Sequence, residues 1–275
     1  MKLERTCRAA VAALALSATA SALDAQTRER PLLIFTTFVG YVGGGPLWSL
    51  DRQPALTLTG LVDTLTLGRA FVPGLSLGLG ASLFLTPHLG YHVEIAFLGT
   101  ATESRCEPLR GYVWEPGGQN QRACQDIQGR KLRTNVVAVQ GGLTWQAMSS
   151  GPVRPYIRAA AGPAYAGGSF IEMAGRILDS ASGAYRHRFF LVDEAVGGRL
   201  TWVATAAAGV TLEMSPGYQL RFEIRELFVS VPVVTGPADY RVEDAYPSVG
   251  SITAHLPSLT LGLDISLERQ RRRRY

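Results

Sequence analysis

Leu75-Ser76-Leu77-Gly78-Leu79-Gly80-Ala81-Ser82-Leu83-Phe84-Leu85 alternates with period two. Leu75, Leu77, Leu79, Ala81, Leu83 and Leu85 share one face, and Ser76, Gly78, Gly80, Ser82 and Phe84 share the other. Successive side chains of a strand point to opposite faces, so this run reads as a strand with one greasy and one small or polar face. The same alternation closes the chain: Leu259, Leu261, Leu263, Ile265 and Leu267 lie opposite Thr260, Gly262, Asp264 and Ser266. Both runs match the roughly 9–11 residues that a tilted strand needs to cross a hydrocarbon layer.

Working outward, six further strands are read at 32–41, 91–99, 132–145, 155–166, 200–214 and 218–229. In the strand at 200–214 the apolar face is Trp202, Ala204, Ala206, Ala208, Val210 and Leu212. Tight turns stand at Thr86-Pro87-His88, Ser149-Ser150-Gly151 and Ser215-Pro216-Gly217, built from residues that preset φ or permit positive φ. Pro87, Gly151 and Pro216 are 64 and 65 residues apart, so strand, long connection, strand and short turn repeat. The long connections are expected at about 42–73, 100–131, 167–198 and 230–257. Two stretches could raise the strand number to ten: Ala55–Leu67, which shifts phase near Gly60, and Arg186–Val192.

The N-terminus carries a targeting pattern. Lys2, Arg5 and Arg8 precede the uncharged Ala/Leu-rich run Ala9–Ala22, and small residues follow at cleavage spacing. Residues 1–25 read as a signal peptide cut after Ala25, with Ala22 as the second choice. Beyond it no apolar run reaches the roughly 18 residues of a membrane helix. The leader removes three of 27 basic and two of 22 acidic residues, which leaves 24 against 20. Arg269 and Arg271 to Arg274 form a basic tail over 269–275. Without its five arginines the body at 26–268 has 19 basic and 20 acidic side chains. The basic pI therefore belongs to the tail, and no nucleic-acid surface is indicated.

Of three cysteines, Cys7 leaves with the leader, and Cys106 and Cys124 read as a disulfide in an exported chain. No metal site or cofactor motif is read. Gly43-Gly44-Gly45 is not followed by the Lys-Ser/Thr of a phosphate loop.

Short turns at one end, long connections at the other and an even strand count describe an antiparallel up-and-down transmembrane β-barrel, with eight strands and ten as the alternative. The turns and chain ends would face the periplasm. Tyr41, Tyr91, Trp145, Tyr165, Trp202 and Tyr218 fall near strand ends, where aromatic girdles meet headgroups. A soluble lipocalin-like barrel would reverse the faces, apolar inward and polar outward.

The last strand resembles the C-terminal sorting signal of bacterial outer-membrane barrels, with Thr260, Gly262, Ile265 and Leu267 at its polar, glycine and hydrophobic positions. Arg154-Pro155-Tyr156-Ile157 after a short turn is similar to the same class. Over the whole mature chain the likeness is to the small barrels of the outer-membrane protein A-like and W-like kind. Such barrels usually end on an aromatic residue, and here the arginine tail follows the strand. The resemblance implies an outer-membrane location, contact with outer-membrane lipids and handling by the barrel-insertion machinery.

Alternation places His92 with Glu94, and Arg221 with Glu223 and Arg225, on inner faces, joined by Arg158 and Asp264. In a narrow barrel these would pair as a filled lumen. The other reading is a polar path for solutes. His92 with Glu94 could also be half of a hydrolase site. Outer-membrane lipid hydrolases place His two residues before Ser, and none of His88, His92, His187 or His255 is so placed. The expected role is structural or a surface interaction through the long loops, by a monomer without catalysis. The alternatives are a small-solute or hydrophobic-compound channel and a lipid-modifying hydrolase. Arg271, Arg272, Arg273 and Arg274 would contact anionic headgroups or peptidoglycan.

Overall fold

The computed structural model describes residues 32–56, 62–108, 118–149, 151–178, 183–193, 198–239 and 246–267. The leader, the cleavage site, Ser150 and the arginine tail lie outside the described residues.

Eight strands pair in a closed antiparallel ring. In ring order they are β1 (Leu32–Val42), β3 (Val62–Phe84), β4 (Leu89–Pro108), β6 (Val136–Gln146), β7 (Val153–Ala166), β10 (Arg199–Ser215), β11 (Tyr218–Gly236) and β12 (Ser248–Ser266). Closure comes from β12 pairing with β1, from Ile34 opposite Ser266 to Val42 opposite Ser258. All eight strands expected from alternation lie in this ring, and ten is not the ring number. Of the Ala55–Leu67 stretch, residues 55–56 lie in β2 (Gly45–Leu56) and 62–67 in the outer half of β3, which pair with each other, and 57–61 lie outside the described residues. Arg186–Val192 overlaps β9 (Tyr185–Leu191), which pairs with β8 (Met173–Leu178) in a separate two-stranded sheet. A short β5 (Lys131–Arg133) edges β4, and a helix, α1 (Gln119–Ile127), precedes it.

The lower part of the ring is inside out relative to a soluble protein. Leu75, Leu77 and Leu79 are 63%, 54% and 63% exposed, while Ser76 and Ser82 are buried. A contiguous apolar belt of this kind needs a hydrocarbon solvent. Tyr91, Trp145 and Tyr218 stand exposed near the turns, and Tyr41, Tyr165 and Trp202 stand exposed at the other edge of the belt. Between Leu75 and Leu85 a strand rising ~3.3 Å per residue at ~40° tilt spans about 25 Å, the height of an outer-membrane apolar band. Close packing of the wall is set by small residues. At Gly162 on β7 an added Cβ would lie 1.9 Å from the Val139 carbonyl oxygen on β6.

Above the belt the strands continue where long loops were expected. β3 begins at Val62, β4 runs to Pro108, and β11 and β12 pair up to Gly236 opposite Ser248. The reason is a reversal of faces. Along β11 the inward residues are Gln219, Arg221, Glu223 and Arg225, then Leu227, Val229, Val231 and Val233. Tyr218, Phe222 and Ile224 face out in the belt, followed by Glu226, Phe228 and Ser230. The outer half therefore has the apolar-in, polar-out pattern of a soluble barrel. Its interior is packed by Leu47, Trp48, Leu65, Leu67, Phe170 and Leu191 among others. Trp48 Nε1 donates to the Phe170 carbonyl at 2.9 Å, and Phe71 meets Phe170 edge-on at 5.9 Å between centroids. Arg69 is buried in this plug and donates to the carbonyls of Ser169 (2.8 Å) and Glu172. Burial lowers its guanidinium to about 10, against the pull of Glu172 and Asp193.

Cys106 on β4 and Cys124 on α1 form a disulfide with Cα atoms 5.3 Å apart. It ties the helix to the wall, and Ala123 of the helix presses on Gly175 of β8. The chain-entropy model assigns about 3 kcal/mol to closing a loop of this length. Cys106→Ser/Cys124→Ser is expected to leave the belt folded and loosen the cap. Amide exchange should speed up over residues 119–133 and stay unchanged over β6 and β7. Uniform exchange changes in both regions would contradict this separation.

Candidate functional site in the barrel lumen

The belt half of the lumen is filled by side chains that alternation forces inward. β4 supplies His92 and Glu94, β7 supplies Tyr156 and Arg158, β11 supplies Arg221, Glu223 and Arg225, and β12 supplies Asp264. All eight are at most 4% exposed. Glu94 sits between two guanidiniums, 3.3 Å from Arg158 and 3.0 Å from Arg225. Glu223 repeats the arrangement, 3.1 Å from Arg158 and in contact with Arg225. Arg221 binds Asp264 through Nη2 at 2.6 Å and Nε at 3.0 Å, and Thr36 Oγ1 donates to the other carboxylate oxygen at 2.8 Å.

Aromatic rings join these pairs into one cluster. The Tyr156 hydroxyl donates to Glu223, and its ring lies 5.2 Å from the Arg221 guanidinium carbon and 5.5 Å from that of Arg158. Arg225 stacks 4.1 Å over the Phe38 ring. Cation–π contact adds to ion pairing where water is excluded. Three arginines face three carboxylates, so the cluster is neutral when His92 is neutral.

All seven sequence-derived lumen residues thus occupy one space. Tyr156, Thr36, Phe38 and Ser82 were missed. Tyr156 shares strand parity with Arg158, which is the signal in the sequence that places it inward. Asp264 and Thr36 meet only through the β1–β12 closure, which local sequence does not display. On the last strand, Thr260 and Gly262 turn inward, and Ile265 and Leu267 lie on the lipid side near the turns.

Ser82 Oγ lies 2.8 Å from His92 Nδ1, and His92 Nε2 lies 3.1 Å from Glu94 Oε2. The order hydroxyl, imidazole, carboxylate is that of a nucleophile with its base. Ser82 and His92 are each 1% exposed, and Arg158 Nη1 stands 3.1 Å from the same Nε2. A reacting carbonyl needs free space about 3 Å from the hydroxyl. Here the neighbouring volume is occupied by the ion-paired side chains. Among the described residues no group of three or more His, Cys, Asp or Glu could hold a metal.

The ring closes without a free edge inside the belt, as lipid requires. The chain is a small, closed, eight-stranded antiparallel β-barrel with an apolar belt on its outer face. No protein-family model matches it, and no curated protein matches its sequence. Among solved structures, Neisserial surface protein A superposes with a TM-score of 0.42 at 10% identity, over 85% of this chain and 96% of that one. OprG from Pseudomonas aeruginosa gives 0.41 at 8% identity, over 88% and 98%. The outer membrane protease OmpT from Escherichia coli gives 0.35 at 9% identity, over 87% and 99%. At such scores the fold rests on the chain's own hydrogen-bond ring.

Removing one partner of a buried pair strands the other charge. Asp264→Leu is expected to cost ~3–5 kcal/mol by leaving Arg221 buried and unpaired. Arg221→Leu/Asp264→Leu should cost less than either single change. Urea unfolding in lipid vesicles, followed by tryptophan fluorescence, measures both. A double variant whose loss equals the sum of the single losses would mean that the two groups are not coupled.

Proposed function

We propose that the protein is an integral outer-membrane barrel closed to solutes, with a structural or surface-contact role carried by its outer half. The observation behind this reading is the lumen. Within the belt it is occupied by the Glu94–Arg158–Glu223–Arg225 cluster, and above the belt by an apolar plug. An ion passing through would have to break paired charges and then cross a dry core. In this reading the short turns face the periplasm, and the strand extensions with α1 and the β8–β9 sheet face the exterior. The protein acts as a monomer among outer-membrane lipids, delivered by the insertion machinery with its last strand, Thr260 to Leu267, as the sorting element. Arg271 to Arg274 would then meet anionic headgroups or peptidoglycan at the inner face. Catalysis has no part in it, since the Ser82 hydroxyl has no open approach.

Planar-bilayer recordings of the purified barrel should show no unitary steps up to high voltage. Reproducible steps in the wild-type protein would overturn the closed-lumen reading. Glu94→Ala/Glu223→Ala, which leaves room and unpaired cations in the lumen, is expected to give transient anion-selective events.

A second reading, a conduit for hydrophobic compounds, is favoured by one seam. The β1–β12 ladder ends with Gly43 donating to the Pro257 carbonyl at 2.7 Å. Beyond it, among the described residues, β2 has strand pairing with β3 alone, and its bonds toward the other side are those of the Gln53 side chain with the Ala238 backbone. Faster uptake of a labelled alkane by cells carrying the barrel, relative to cells without it, would select this reading.

A further inference from the structure

Above the belt, β12 loses a neighbour. The β1–β12 ladder stops at Val42 opposite Ser258, and the Pro257 carbonyl accepts the Gly43 amide as the last bond. β12 extends beyond this point, up to Ser248, with β11 on one side, and β2 is not paired with it. In an antiparallel ladder each residue sends its N–H and C=O to the same side, and successive residues alternate. Pro257 points to the β1 side, so Val249, Ser251, Thr253 and His255 point there too. Among the described residues no backbone bond meets these four. Pro257 suits the last rung because it has no N–H to leave unmet. Four donors and four acceptors thus line an edge ~20 Å long.

The side chains of this edge lack the devices that keep edges apart. Natural edge strands deter pairing with charge, proline or a bulge. From Ser248 to Leu256 there is no Asp, Glu, Lys, Arg or Pro, and from Val249 to Leu256 the ladder with β11 has no bulge. Ile252 supplies a second, independent observation. It shares inward parity with Ala254 and Leu256, which are buried, and its partner on β11, Val231, is 1% exposed. Ile252 itself is 40% exposed. Its uncovered side is the one where the next strand is missing, and an added strand would cover it. The wall at this level is apolar inward and polar outward, so such a strand needs the same alternation.

We propose that this edge takes up an extended peptide from outside the cell as an added strand, uncharged and apolar at every second residue. An extended backbone repeats donors and acceptors at the spacing of this row. It would bond Val249, Ser251, Thr253 and His255, and one apolar side chain would enter beside Ile252. The uncharged edge sets the uncharged partner. A second copy of the chain does not fit. Two barrels in one membrane run their β12 strands in the same sense, whereas identical edges joined into one sheet by a two-fold axis run in opposite senses. The inference rests on the outward orientation and surface-contact role proposed above.

The test uses the barrel in phosphatidylcholine nanodiscs. The probe is a short peptide of alternating threonine and valine, with a lysine at each end for solubility. One control carries methyl groups on its backbone nitrogens, and a second has the same residues in two blocks. The alternating peptide should bind about tenfold tighter than either control. It should slow exchange of the Ser251 and Thr253 amides about tenfold, read residue by residue by NMR, and leave β6 and β7 unchanged. Thr253→Pro removes one edge donor without touching the ladder to β11, and it should abolish the preference. Heat-modifiable gel mobility reports whether the variant is folded. Equal binding of either control, unprotected Ser251 and Thr253 amides, or unchanged affinity in folded Thr253→Pro would each overturn the proposal. So would wild-type dimers that Thr253→Pro splits, which would give the edge to a second copy. Those failures leave the closed-lumen reading intact, because that reading is decided by conductance alone.

Discussion

A backbone amide in hydrocarbon has no water to bond. Every N–H and C=O of a strand in lipid must find a partner on a neighbouring strand, and a sheet with an edge leaves a row of them unmet. The pairing of β1 with β12 is therefore the constraint on which the structure depends. It fixes eight strands as a ring, sets the narrow bore, and forces every second side chain of each strand into that bore. Nothing else in the molecule brings Thr36, near the beginning of the described chain, to Asp264, near its end.

The bore then needs to be filled. A barrel of eight strands has room for side chains and little else. Charged groups moved into such a space are costly unless each is paired, and the paired set is neutral overall. Glu94 and Glu223 each bridge Arg158 and Arg225, so loss of any one member leaves at least one partner uncompensated. The cost of desolvating such charges offsets much of their attraction, so the pairs are needed once the charges are buried and add little net stability. A strand slipped by one residue would place Arg221, Glu223 and Arg225 in lipid and Phe222 and Ile224 in the lumen.

The same strands then pass from one solvent to another. On β11 the reversal falls between Ile224–Arg225 and Glu226–Leu227, and on β12 between Leu259–Ser258 and Pro257–Leu256. Below this level lipid rewards an apolar exterior, and the interior is polar. Above it water rewards a polar exterior, and the hydrophobic effect fills the interior. Because the β11–β12 ladder runs without a shift from Tyr218–Ile265 to Val234–Val249 across the change, a region that looks like a loop by hydropathy folds as wall. The disulfide and the buried Arg69 sit in this upper half, where packing and cross-links replace the support that lipid gives below.

Much of this was legible in advance. Alternation at Leu75–Leu85 and Leu259–Leu267 is a local property of strands, and it identified the lipid faces and the inward charges without any knowledge of partners. The turns at Pro87, Gly151 and Pro216 ordered the strands by backbone chemistry alone. Strand extension beyond the belt was not legible, because a reversed alternation looks like noise to a reader seeking one phase. Nor was the union of Tyr156 with Glu223 or of Thr36 with Asp264, since these partners lie 67 and 228 residues apart in the chain. By itself the sequence determined which side of each strand meets lipid, because side-chain parity is local. Only the tertiary structure decided that the lumen is occupied, because occupancy depends on the ring's circumference and on contacts made across it.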